Sequence, residues 1–166
     1  CIPIDPYYLS WKLKTLDYDA RFIKLAGEIN TNMPRHIIDL ISKSLNNKKK
    51  SINGSKILII GVAYKKNVND YRESPALDII ELLRKLGSEI QYFDPHVDKL
   101  KYNKIILKSL THINKKILNS YDACVVLTDH SGINYKLISE NNRIIIDTRN
   151  AFKNIQGKHI TRLGEG

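Results

Sequence analysis

Apolar and polar positions divide this chain into two stretches with different periods. In the first, Phe22, Leu25, Ala26, Ile29, Met33, Ile37, Leu40, Ile41 and Leu45 recur at steps of three and four. That is the period of a helix with one apolar face. Pro34 falls inside the stretch and either kinks the helix or opens a second segment capped by Asn32. A shorter helix precedes it, with Asp5 placed as its cap, Pro6 as its first residue and an end near Leu16. The long apolar stripe calls for a partner surface, from another subunit or from a further part of the protein.

Residues 46–54 read as a linker, and beyond it the pattern changes. Lys56 to Tyr64 is a continuous apolar run, as in a strand buried on both faces. Pro75 to Leu86 has helical spacing and stops at Gly87. Glu89 to Phe93, Ala123 to Thr128 and Arg143 to Asp147 read as further strands, with a helix near Tyr135 to Ser139. Lys99 to Ser120 is weakly patterned, with room for one strand and a short helix. Strands alternating with helices predict an α/β fold built on a doubly wound parallel sheet. In such a sheet ligands bind at the carboxyl ends of the strands. The points to examine therefore follow Tyr64, Phe93, Thr128 and Asp147. Three are rich in polar groups: Lys65-Lys66-Asn67, Thr128-Asp129-His130 and Thr148-Arg149-Asn150.

Composition narrows the function classes. Hydrophobic residues make up 42% and charged residues 27% of 166 residues, ordinary values for a soluble globular protein. No apolar run has the length of a membrane span and no signal peptide is visible, so neither a membrane nor secretion is expected. The net charge of +10 raises nucleic acid as a partner. Yet the lysines are scattered, and the one run, Lys48 to Lys50, lies in the linker, so no nucleic-acid partner is expected. Cys1 and Cys124 lack the spacing of a disulfide framework or a zinc site, which points to a reducing cytoplasm and no metal.

The first strand leads into GVAYKKNVNDYRESP rather than the G-x-G-x-x-G that cradles a dinucleotide pyrophosphate. Lys65 and Arg72 could instead offer positive charge to phosphate. Gly61 to Ile80, GVAYKKNVNDYRESPALDII, resembles the signature opening the C-terminal domain of the UDP-glucose/GDP-mannose dehydrogenase family. CIPIDPYYL resembles the segment around that family's catalytic cysteine, and FIKLAGEINTNMPRHIIDLI its central helix. YDACVVLTDHSGINY and IIIDTRN resemble its later strands. The matches run in family order over nearly the whole chain.

This resemblance implies an NAD-dependent oxidation of the C6 alcohol of a UDP-sugar to a carboxylate, for surface polysaccharide synthesis. Cys1 would be the nucleophile, capturing the aldehyde as a thiohemiacetal and later carrying a thioester. Asp5 would help position and activate the hydrolytic water. Tyr64, Lys65 and Arg149 would contact the nucleotide-sugar, and Arg72 would reach the NAD held by another domain. Cys124, inside an apolar strand, reads as core, and His130 as structural.

Ile4 stands where many UDP-glucose and GDP-mannose enzymes have a lysine. This version resembles the UDP-N-acetylhexosamine branch, with UDP-N-acetylglucosamine favoured over UDP-glucose. The implied architecture is the end of a helical dimerisation domain over residues 1–47, followed by a Rossmann-like UDP-sugar-binding domain over 54–166. A homodimer through the long helix is expected. The family's N-terminal NAD-binding domain has no counterpart here, so the chain is expected to be a C-terminal fragment, inactive alone. The alternative is a non-catalytic UDP-sugar-binding and dimerising module.

Overall fold

The computed structural model describes residues 4–164. Two helices open it, α1 (Asp5–Lys14) and α2 (Arg21–Asn46). Then follow β1 (Lys56–Ile60), α3 (Pro75–Lys85), β2 (Glu89–Phe93), β3 (Lys99–Tyr102), β4 (Ile105–Lys108) and α4 (Lys115–Leu118). The chain closes with β5 (Ala123–Val126), α5 (Tyr135–Asn141), β6 (Ile145–Asp147) and β7 (Ile160–Arg162). Five strands form one parallel sheet in the order β2-β1-β5-β6-β7, while β3 and β4 pair as a separate antiparallel hairpin. The expected α/β, doubly wound architecture is therefore present.

Alternation along the strands builds two cores. Ile57 and Ile59 of β1, with Val125 and Ile146, face Ile79, Ile80 and Leu83 of α3. Leu58 and Ile60, with Cys124, Val126 and Ile145, face Leu118, Ile138 and Phe152 on the other side. A strand covered on both faces must be apolar at every position, which is why β1 reads as an unbroken hydrophobic run. Cys124 lies in this second core, where burial pushes its thiol far above the usual range.

Helix α2 is one continuous helix through Pro34, and Asn32 is a mid-helix residue whose amide donates to the Glu28 carbonyl at 2.9 Å. The expected break is absent because Ile37, Ile38, Ile41 and Leu45 beyond the proline are buried against the sheet and α3. That burial outweighs the roughly 3 kcal/mol cost of an interior proline. Half of the long stripe thus finds its partner within the chain. The other half does not: Phe22 is 89% exposed, and Leu25 and Ile29 more than half exposed. Helix α1, which packs on α2, also presents Tyr8 and Trp11 to solvent.

Several boundaries differ from expectation. Asp5 is the first residue of α1 rather than its cap; Ile4 holds that place and no side chain caps the helix, which ends at Lys14 rather than near Leu16. Asp5 still favours the first turn electrostatically, a carboxylate near the positive end of the helix dipole. β1 stops at Ile60 because Gly61 turns the backbone to φ 76°. The weakly patterned segment holds two strands, not one, joined at Asn103 with φ 50°. Among the described residues no helix is long and apolar enough to cross a membrane.

The core assignment sets an expected stability difference. Leu83→Ala, at a fully buried position, should cost about 2–5 kcal/mol. Ile106→Ala, at a position 60% exposed, should cost under about 1 kcal/mol. Urea unfolding of the two variants checks this, and equal midpoints would contradict the core described.

Candidate functional site

The order β2-β1-β5-β6-β7 reverses direction between β1 and β5. From β1 the chain crosses to β2 on one side, and from β5 to β6 on the other. The loops that follow these two strands therefore head toward opposite faces of the sheet, and the carboxyl edge between them is where sheets of this kind bind ligands. Residues 61–74 follow β1 and residues 127–134 follow β5 at this edge.

A buried carboxylate organises this edge. Asp94 directly follows β2 and is 2% exposed. Its Oδ2 accepts from the amides of Val62 at 2.7 Å and Ala63 at 3.1 Å, both in the loop after β1. Its Oδ1 accepts from His96 N at 2.8 Å and Val97 N at 3.1 Å. The fully buried His130 imidazole lies 3.0 Å from Asp94 Oδ2 through Nε2. The other ring nitrogen, Nδ1, accepts from Asn67 N at 2.9 Å, so the single ring proton sits on Nε2 and is donated to Asp94.

The two loops are also stitched directly. Thr128 Oγ1 donates to Ala63 O at 2.6 Å. Asn67 Nδ2 donates to Ser131 Oγ at 2.9 Å, and Ser131 N donates back to Asn67 Oδ1 at 2.9 Å. Lys66 pairs with Asp129 at 3.3 Å. Asn67 adopts φ 59°, a left-handed conformation that asparagine tolerates better than most residues. Gly61 is required where it stands, because a Cβ there would run into the Thr128 carbonyl.

The cations foreseen from sequence stand above this base. Tyr64 is half-buried and donates its amide to Asp70 O at 2.7 Å. Lys65 is exposed, with its Nζ 5.3 Å from the centre of the Tyr64 ring. Arg149 follows β6 and is exposed, its amide donating to the buried Asp147 at 3.0 Å. Asp147 repeats the role of Asp94, accepting also from Ala151 N at 3.0 Å and Phe152 N at 2.9 Å. Tyr64, Lys65 and Arg149 thus share one edge, their strands separated by two spacings, about 10 Å.

Arg72 is held differently. Its Nε and NH2 reach both oxygens of Asp70 at 3.0 and 2.8 Å, and its own amide joins them. The guanidinium holds the Asp70 carboxyl down at about 2. The depressed value means the pair is fully formed above the ordinary aspartate range and is lost only as pH falls toward 2. Asp5 stands exposed on α1, and among the described residues no hydrogen bond ties it to this edge. Cys1 lies outside the described residues. Asp94 was passed over in the sequence because only the clusters after the other strands looked polar. Its signal was an aspartate directly following a buried strand.

A dinucleotide pyrophosphate does not fit the turn after β1. The amides of Val62 and Ala63 that could cradle it are already taken by Asp94, and Tyr64-Lys65-Lys66 replaces the small residues such a turn needs. A cleft of 920 Å³ lies at the opposite, amino edge, between Lys48, Lys50, Asp122 and Arg143. Its Lys50 is bound to Asp122, and its lining comes from segments leading into β5, β6 and β7, away from the strands' carboxyl ends. The carboxyl edge is the candidate site.

The chain is similar in sequence and fold to known proteins. A UDP-N-acetyl-D-mannosamine dehydrogenase of Methanococcus maripaludis is 36% identical over 160 residues, covering 90% of this chain and 34% of its own length. A UDP-N-acetyl-D-glucosamine 6-dehydrogenase of Salmonella typhi is 28% identical, covering 78% of this chain and 30% of its own. The solved UDP-D-ManNAc dehydrogenase of Pyrococcus horikoshii superposes with a TM-score of 0.79 at 29% identity, over 99% of this chain and 38% of its own. The chain thus spans about a third of the length of these relatives. Residues 58–154 match the UDP binding domain of the UDP-glucose/GDP-mannose dehydrogenase family, and the chain belongs to that family.

Proposed function

We propose that this chain binds the nucleotide-sugar of a UDP-N-acetylhexosamine 6-dehydrogenase. The observation that carries the reading is the carboxyl edge of the sheet, where Tyr64 and Lys65 after β1 and Arg149 after β6 stand beside loops tied together by hydrogen bonds. Lys65 and Arg149 are exposed cations, suited to the two phosphates of UDP. Tyr64 offers a ring for the base or sugar to pack against. The sequence favours UDP-N-acetylglucosamine, whereas relatives named for UDP-N-acetylmannosamine are the more similar, at 36% against 28% identity. The two sugars are epimers, so the shared class is the firmer proposal.

Catalysis would need residues of the chain beyond its sheet. Cys1 is proposed as the nucleophile that captures the sugar aldehyde, on its resemblance to the family's cysteine segment. Asp5, exposed on the first turn of α1, is available to orient water there. NAD, held by another part of the enzyme, would supply the hydride acceptor. Arg72 would reach it from this chain by exchanging its Asp70 partner for a phosphate. A second reading, a UDP-sugar-binding and dimerising module without catalysis, rests on the turn after β1 leaving no amides for a dinucleotide.

The exposed half of α2 is proposed to pair with a second copy. Phe22, Leu25 and Ile29, with Tyr8 and Trp11 of α1, are large apolar side chains left in solvent on two packed helices, and clustered exposed apolar groups mark interaction surfaces.

Three outcomes are expected. Calorimetry should show UDP binding to the chain, with Lys65→Ala or Arg149→Ala weakening it by about tenfold each, the scale of one charged hydrogen bond; no binding by the unaltered chain would end the reading. In an enzyme combining this chain with an NAD domain, Cys1→Ser should abolish uronate formation, and Arg72→Ala should raise KM for NAD, both without change in UDP affinity. Retained turnover in Cys1→Ser would remove the cysteine from the mechanism. Sedimentation at micromolar concentration should give a dimer, and a 19.1 kDa species would contradict the pairing.

A further inference from the structure

We propose that His130 is a positioning residue for the nucleotide-sugar, acting through the loop that carries Lys65 and not by touching the ligand; this rests on the UDP-binding reading above. Every polar atom of the His130 side chain is committed. Nε2 meets Asp94 Oδ2 at 3.0 Å and Nδ1 accepts from Asn67 N at 2.9 Å. The ring is fully buried, so it presents nothing to a ligand. What it does instead is join three strand ends. His130 belongs to the loop after β5, Asp94 follows β2, and Asn67 lies in the loop after β1.

The loop after β1 needs such an anchor. From Gly61 it makes a turn with no helix or strand of its own until α3 begins at Pro75. Asp94 fixes its first residues through the amides of Val62 and Ala63. His130 fixes the far side of Lys65 through the amide of Asn67, at a backbone conformation of φ 59° that most residues avoid. Tyr64 and Lys65 are therefore suspended between two clamps that share one carboxylate. Removing the second clamp leaves the backbone next to Lys65 held only through the exposed side-chain bonds of Asn67 to Ser131 and Lys66 to Asp129, and binding must then order it at an entropic cost. A long lysine side chain gives poor phosphate geometry unless its backbone is held.

The clamp also ties the loop after β1 to its neighbours on both sides. His96, after β2, packs its ring 4.8 Å from the His130 ring, and Tyr135 of α5 donates its hydroxyl to His130 O at 3.2 Å. The position of the loop after β1 is thus referred to both neighbouring strands. The sequence pattern shows His130 only as a polar residue at the end of a strand.

UDP binding to the chain is the readout. His130→Phe keeps a ring and removes both hydrogen bonds, and should weaken UDP by about tenfold, as for loss of one charged ligand contact. His130→Asn keeps an acceptor near the Nδ1 position and should stay within about threefold of the unaltered chain although its stability falls. Leu83→Ala, destabilising but remote, should leave UDP affinity unchanged. In the Lys65→Ala background, His130→Phe should add less than about twofold, because the two act on one contact.

Additive losses in that double variant, or affinity that tracks melting temperature across all four variants, would overturn the positioning role. So would unchanged UDP affinity in His130→Phe. Should His130→Phe not fold, His130→Ala takes its place: a tenfold loss in a folded protein with His130→Asn near normal supports the proposal, and unchanged affinity in His130→Ala overturns it. Failure of the unaltered chain to bind UDP would instead strike at the functional reading.

Discussion

The organisation of the carboxyl edge depends on the buried carboxylate of Asp94. A charged oxygen pair taken out of water is tolerable only if its lone pairs are filled. Here four backbone amides and an imidazole fill them. The same bonds satisfy amides in two loops that could not pair with strands. One side chain thereby fixes the turn after β1, the turn after β2 and the ring of His130. Without it, several buried donors would lose their acceptor together, each at a cost of about 1–3 kcal/mol.

This arrangement leaves the doubly wound sheet without the free amides of a glycine-rich phosphate turn. In a dinucleotide turn the free amides face the pyrophosphate. In this chain the amides of Val62 and Ala63 point inward to Asp94, and cationic side chains take over the outer surface. Asp147 repeats the device after β6, turning the amides of Arg149, Ala151 and Phe152 inward while the Arg149 side chain stays exposed. The buried acids hold the loops, and the exposed bases are left at the outer surface. Arg72 stands apart because it is already neutralised by Asp70, so any role toward a cofactor requires exchange of partners.

Helix α2 joins two environments in one element. Its second half belongs to the core under the sheet, and its first half projects an apolar surface together with α1. Movement of the projecting half relative to the sheet would have to pass through Pro34, whose missing amide removes one rung of the helix ladder. A second copy docked on this surface would thus be joined to the core of the sheet through a single helix.

Much of the fold was legible in the chain because burial on both faces demands an unbroken apolar run. Lys56 to Ile60 and Ala123 to Val126 announce themselves that way, and Ser74-Pro75 marks the start of α3 by cap and first-turn proline. The candidate positions Tyr64, Lys65 and Arg149 were also readable, since the carboxyl ends of parallel strands follow from topology alone. The hairpin of β3 and β4 was not foreseen, because Asn103-Lys104 lacks the glycine of a common tight turn and its strands are short and lysine-rich. β7, with three residues, was too short to leave a period.

The pairing of Asp94 with His130 and Asn67, and of Arg72 with Asp70, was decided only in three dimensions. The first joins residues from three separate loops, and the second depends on a local turn that brings both oxygens to one guanidinium. Sequence alone determined which stretches form the buried strands and the helices between them, because those follow from local hydrophobicity. Tertiary structure decided which polar groups satisfy one another, because hydrogen bonds depend on distances between segments that the chain order leaves free.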